Sequence, residues 1–252
     1  MLGFSGKQPA SRHDYRIPPG LRLYAVGDIH GRADLLRAMM AQIATDAAQA
    51  PGLRKQLVFL GDYVDRGYHS RDVIDLLRTE LPPEFTPVFL RGNHEDVMLR
   101  FIDGDLKIAP DWFFFGGRET IASYGLPPPP QNLTGALIQK IHEDFTARLP
   151  LDQIAFLRAT QMTHQCGDYI FVHAGLRPGL PLERQLREDL LYIRNEFLHS
   201  DEDFGGRVVH GHTIAAAPVI RHNRIGIDTG AYATAKLTCL ILEGSDTRFL
   251  QT

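Results

Sequence analysis

The chain has only two cysteines and one tryptophan in 252 residues, and no apolar run long enough to span a bilayer. Cys166 and Cys239 stand apart without a CxxC spacing, which fits two reduced, buried thiols better than a disulfide framework or a zinc knuckle. Charge of one sign is missing too. The 27 Lys and Arg and 30 Asp and Glu are interspersed, with a net charge of -3, so no electrostatic footprint for nucleic acid or an anionic membrane exists. Residues 1–20 mix prolines with charges and lack an apolar h-region, so we expect a flexible or surface-bound N-terminal extension and a cytoplasmic protein. There is no internal repeat, and the only biased tract is four prolines at 127–130. Residues 21–252 read as one domain, and 44% hydrophobic residues can fill its core.

What is present is a strand, loop and helix pattern written three times. Residues 21–26 alternate and are rich in strand formers, and 33–48 follow with helical spacing; 56–60 and 70–77, with Ser70 as a cap, repeat the pattern, as do 87–90 and a helix ending near Phe101. Three such units imply parallel strands, and open α/β sheets place their sites at the carboxyl ends of those strands. Residues 112–115 form an aromatic run that reads as core, beside a Gly116–Gly117–Arg118 loop free to face a substrate. Helical patterns return at 133–149 and 152–160. Strand patterns at 161–166, 169–172, 207–209, 224–227 and 237–242 then suggest a second, largely antiparallel sheet. The expected architecture is α/β, with two sheets face to face and helices outside.

The loops after these strands carry metal-ligand types. Asp28 and His30 lie in GDIHGR (27–32), Asp62 in GDYVDRG (61–67), Asn93 in RGNHE (91–95), His173 after the strand YIFV, and His212 in HGHT (210–213). A lone buried histidine is usually a core residue, but five segments with ligands at strand ends describe a dinuclear site. Counting donors, Asp28, His30 and Asp62 hold one divalent ion while Asp62, Asn93, His173 and His212 hold the other, with Asp62 as the bridge. Such a pair activates water for in-line attack on phosphorus. Alternation turns His210 away from His212 and gives it a structural role; Arg91 is expected to brace the third loop, and the remaining histidines to sit in solvent.

In this order, GDIHGR, GDYVDRG, RGNHE, FVHAG and HGHT resemble the phosphoprotein phosphatase family of calcineurin-like metallophosphoesterases, which includes bacterial and phage serine/threonine phosphatases of the lambda type. The resemblance implies a double β-sandwich of two mixed sheets flanked by helices, and two metals of the manganese, iron or zinc type with manganese first. It also implies one-step hydrolysis without a phosphoenzyme. By motif position it gives Asp28, His30, Asp62, Asn93, His173 and His212 to the metals, Arg66 and Arg194 to phosphate binding along with Asn93, and His94 with Asp65 to proton donation. Tyr192 stands where relatives commonly carry tryptophan. These roles suit the chemistry, because a guanidinium matches phosphate oxygens in two parallel hydrogen bonds and a leaving alkoxide needs a proton. The expected activity is therefore a serine/threonine protein phosphatase acting on a phosphoprotein. Symmetrical diadenosine tetraphosphate hydrolysis is the alternative, and a catalytically silent phosphate-binding regulator is disfavoured because every ligand is present.

Overall fold

A computed structural model describes residues 14–252. Expected and observed elements agree closely in the first half: β1 (Leu21–Val26), α1 (Ala33–Ala48), β2 (Arg54–Phe59), α2 (Ser70–Thr79), β3 (Phe85–Phe89) and α3 (Asn93–Ile102). Short α4 (Ala109–Trp112), a π-helical turn at Phe113–Gly117 and α5 (Arg118–Ser123) occupy the aromatic cluster, whose residue pattern gives no helical signal. Then come α6 (Gly135–Arg148), α7 (Leu151–Ala159), β4 (Thr163–Cys166), β5 (Tyr169–Val172), α8 (Arg187–Tyr192), α9 (Asn195–Leu198) and β6 (Arg207–His210). The chain continues through β7 (Val219–Ile220), β8 (Arg224–Gly226), α10 (Ala231–Thr234), β9 (Thr238–Glu243) and β10 (Asp246–Gln251).

Two five-stranded sheets form, ordered β10-β9-β1-β2-β3 and β4-β5-β6-β8-β7. Both are mixed. In the second sheet β5, β6 and β8 run parallel while β4 and β7 are antiparallel edges, so the expected antiparallel character is corrected. The reason lies in the connections: 34 residues separate β5 from β6, enough for α8 and α9 to cross over, and only the edge links β4–β5 and β7–β8 are tight hairpins. The 237–242 strand is corrected as well, since β9 leaves the second sheet and pairs antiparallel with β1, with β10 beside it.

Alternation along β1 explains the layering. Leu21, Leu23 and Ala25 meet Val209, Ile225 and Ile227 of the other sheet, whereas Tyr24 and Val26 face α1 and the helices packed with it. A third cluster seals the outer face of the second sheet, where Ile170, Val172 and Val208 lie under Leu190, Ile193 and Phe197 of the α8–α9 segment. Each such aliphatic side chain contributes about 1.5–3 kcal/mol by leaving water. Trp112 and Phe113 join the helical core, but Phe114 and Phe115 are 81% and 57% exposed, so the aromatic run is core only in its first half.

The expected extension divides. Residues 1–13, His13 among them, lie outside the described residues. Residues 14–20 lie against the fold: Arg16 N–H donates to Asp168 Oδ2, Arg16 O accepts the Asp168 N–H, Ile17 is buried, and its N–H donates to Gly244 O.

Candidate metal centre

The ligand loops meet because their backbones cross at glycines. A Cβ on Gly31, whose φ is +63°, would sit 2.4 Å from Gly67 O, so the first two loops could not touch with a side chain there. Around this crossing the backbone is strained. Six non-glycine residues among those described have positive φ, and five are His30, Asp62, Asp65, Arg66 and His212. Such conformations persist only where surrounding contacts over-determine them, as they do at functional sites.

Asp62 is the shared group. Its Oδ2 is 3.4 Å from His30 Nε2 and its Oδ1 is 3.5 Å from His173 Nε2. Two ligand sets result, His30 with Asp62 and His94, and Asp62 with His173 and His212. His30 Nδ1 donates to Val64 O and His173 Nδ1 to Leu60 O, both at 2.9 Å, which leaves each Nε2 with a lone pair aimed at the carboxylate. His173 Nε2 is also 2.9 Å from Asn93 Oδ1. Converging lone pairs repel unless a cation lies between them. Asp28 Oδ2 accepts the His212 N–H at 3.0 Å, while Asp28 Oδ1, His30 Nε2 and His212 Nε2 are buried without a hydrogen-bond partner. Buried polar atoms are seldom left so, and these three point to the same unmet requirement as the lone pairs. The residues fit two divalent ions.

Electrostatics agrees. Burial lowers the pKa of His30, His173 and His212, the last to about 2, and holds them in the neutral form that binds metal. Burial works against the Asp62 carboxylate, yet the imidazoles around it, the charged His94 among them, keep the group well below the usual range. Asp28 is pushed up, by burial first and then by Asp228 and Asp62. His94 differs from the other imidazoles: burial opposes its charge, yet Asp62 and Asp65 win and raise it. It lies within ligand distance of His30 and Asp62, but its charge and its Nδ1, held 2.7 Å from Asp65 Oδ2, set it apart from the ligands.

The remaining expected residues surround this core. Arg66 places Nη2 3.3 Å from His94 Nε2 and its guanidinium 4.6 Å over the Tyr232 ring. Arg194 is exposed and donates to Thr213 Oγ1 at 3.1 Å, beside His212. His210 turns away and packs its ring against Phe197 at 5.0 Å. Arg91 bonds Thr160 Oγ1 and the carbonyls of Leu157 and Arg158, which anchors the third loop to the end of α7.

Three participants escape a reading of the sequence. Glu95 is fully buried and accepts four backbone N–H groups, from Asp62, Tyr63, Val64 and Gly92. Its signal is local: it is the third residue of α3, where a glutamate reaches back to the N-cap amide. Asp228, after β8, crowds Asp28 with a second buried carboxylate, and burial pushes its pKa up to about 6. Tyr232 shields His30, ring to ring at 5.5 Å. Neither of these has a local signal. Beside Arg66 and Tyr232 opens a cleft of about 740 Å³, also lined by Phe113, Phe114, Phe115 and Arg118.

Among known proteins, the chain is 28% identical over 236 residues to the asymmetrical bis(5'-nucleosyl)-tetraphosphatase PrpE of Bacillus cereus, a match covering 85% of this chain and 88% of that one. It is 37% identical over 112 residues to serine/threonine-protein phosphatase 2 of Escherichia coli, covering 42% and 44%. In three dimensions it is similar to a candidate diadenosine tetraphosphatase, with TM-score 0.62, 19% identity and coverage of 94% and 98%. The family model described as calcineurin-like phosphoesterase matches residues 21–225. One carboxylate facing two sets of imidazoles is the arrangement a dinuclear phosphoester hydrolase requires, and with a match of that extent the chain belongs to the calcineurin-like phosphoesterases.

Proposed function

We propose that the chain is a serine/threonine protein phosphatase of the phosphoprotein phosphatase type, with Asp28, His30, Asp62, Asn93, His173 and His212 as ligands of two ions. Bound there, the ions, manganese in this reading with iron or zinc as alternatives, would activate a water and offset charge on the phosphoryl oxygens. Arg66, beside His94, and Arg194, beside Thr213, grip those oxygens, and Asn93 contacts the phosphoryl group as well as the metal. His94 gives its Nε2 proton to the departing oxygen, and Asp65 keeps the imidazole charged and oriented.

The observation that carries this reading is the 2.7 Å contact between His94 Nδ1 and Asp65 Oδ2. A serine or threonine alkoxide is strongly basic and leaves only with a proton, whereas a nucleoside phosphate departs readily without one. A built donor pair is therefore suited to an alcohol leaving group.

Nucleotide hydrolysis is the second reading, favoured by the Bacillus relative along nearly the whole chain and by the aromatic cleft beside Arg66. The motifs alone suggest the symmetrical type, whereas the relative's name is asymmetrical. Turnover of a phosphoserine or phosphothreonine peptide by the manganese-loaded protein, measured beside diadenosine tetraphosphate, separates the two. Faster peptide turnover supports the phosphatase; faster nucleotide turnover replaces it.

A further inference from the structure

The aromatic and glycine cluster between α3 and α6 has no task in the reaction as described, yet it is wired to two residues that do. Trp112 Nε1 donates to both oxygens of Asp65, at 3.2 and 3.0 Å. Thr120 Oγ1 donates to Asp65 Oδ1 at 2.6 Å and accepts the Asp65 N–H at 2.9 Å. Gly116 O accepts the Arg66 N–H at 3.1 Å, and Gly116 itself has φ +119°, with Arg66 N only 2.5 Å from where a Cβ would stand. Trp112 and Thr120 are buried, and Thr120 Oγ1 also meets Ser70 Oγ at the start of α2.

Asp65 and Arg66 are consecutive residues in the left-handed region, at φ 72° and 69°. That conformation is uncommon for any residue but glycine, and two such residues in succession need surrounding contacts to hold them. The geometry points to residues 112–120 as a clamp, in which Trp112 and Thr120 are positioning residues that fix the Asp65 carboxylate against His94 while Gly116 fixes Arg66. The inference rests on the proposed role of His94 as proton donor. Neither Trp112 nor Thr120 touches the phosphoryl group. Their task is to keep Asp65 in one rotamer, with Oδ2 toward the imidazole and Oδ1 occupied by the hydroxyl. The same turn exposes Phe114 and Phe115 into the cleft beside Arg66, so the clamp and the wall that meets the rest of the substrate are one element.

The test uses leaving groups. Full-length, manganese-loaded Thr120→Val removes a hydrogen-bond donor while keeping shape, Trp112→Phe removes one while leaving a smaller aromatic ring in place, and each is assayed on phosphoserine peptide and on p-nitrophenyl phosphate, whose leaving group needs little protonation. We expect kcat on the peptide to fall about tenfold and on the aryl ester about twofold or less, since general acid assistance of roughly a hundredfold or more is only partly lost. Thr120→Ser should restore the peptide rate. Equal losses on both substrates, or no loss on either, overturn the clamp, and so does failure of Thr120→Ser to recover a rate that Thr120→Val has lost. His94→Asn is the reference. If its losses are equal on the two substrates, the donor role itself falls and the clamp with it; if they differ while the clamp variants show no such difference, the clamp alone falls.

Discussion

Glu95 Oε2 accepts the amide N–H of Asp62 at 2.8 Å. The carboxylate shared by the two candidate ligand sets is thus held, through its own backbone, by a second, fully buried carboxylate that lies in the next motif. Glu95 also gathers Tyr63, Val64 and Gly92, so one side chain sets the spacing of the second and third ligand loops. Burial and the Asp62 charge push its pKa up to about 7, against the pull of those donors.

Replacing Glu95 with alanine should therefore weaken both fold and metal binding. Four buried N–H groups lose their acceptor, and unsatisfied buried donors cost about 1–3 kcal/mol each before relaxation. We expect a net loss of roughly 3–5 kcal/mol. Thermal melts of the metal-free protein measure it, and an unchanged melting temperature would contradict the role.

Metal stoichiometry should follow the sharing of Asp62. Wild type is expected to retain two metal equivalents per chain, His30→Ala one, and Asp62→Asn close to none, because the amide cannot serve both sets. Elemental analysis after desalting reads this directly. An Asp62→Asn protein that keeps both ions would mean that the sharing is not essential.

Arg66→Lys keeps the charge but loses the planar fork and the stacking over Tyr232. KM for a phosphopeptide should rise about tenfold, equivalent to about 1.4 kcal/mol. Arg194→Lys should cost less, since Arg194 is exposed and has one neutral partner, Thr213. Steady-state kinetics on the pair of variants decides the order.

His210 supplies a pH dependence. Burial holds its folded pKa down at about 4, against an ordinary value of 6.5. In that window the unfolded chain binds the extra proton, so His210 contributes stability above pH 6.5 that is lost as the pH falls toward 4, up to about 3 kcal/mol. His30, His173 and His212 shift in the same direction and add to the slope. Melts of metal-free His210→Leu between pH 7 and 5 should decline less steeply than wild type. Parallel slopes would show that the imidazole is not the titrating group.

The ordered ligand loops are legible in the amino-acid sequence because each is local: an alternating strand, a few ligand residues, then a helix, with Asp28, Asp62 and Asn93 in place. The partners of β9 are not. A strand's own pattern says that it has a buried face, but pairing with β1 instead of β8 depends on which edge lies open after the rest of the sheet has formed. Asp228 is hidden for a similar reason, since nothing near it in the chain reveals that it lies against Asp28. Glu95 is legible as a cap, but not as the residue that spans two loops.

Sequence alone determined the chemistry on offer: carboxylates, imidazoles and an amide at strand ends, which can hold divalent cations whatever the exact packing. The tertiary structure decided the assignment of tasks. Five side chains sit on left-handed backbone that only long-range contacts can stabilise, and those contacts turn His94 toward Asp65, His210 toward Phe197 and both oxygens of Asp62 toward opposite histidines. Residue types are set by the gene, but orientation is set by what each group meets once the loops have closed on one another.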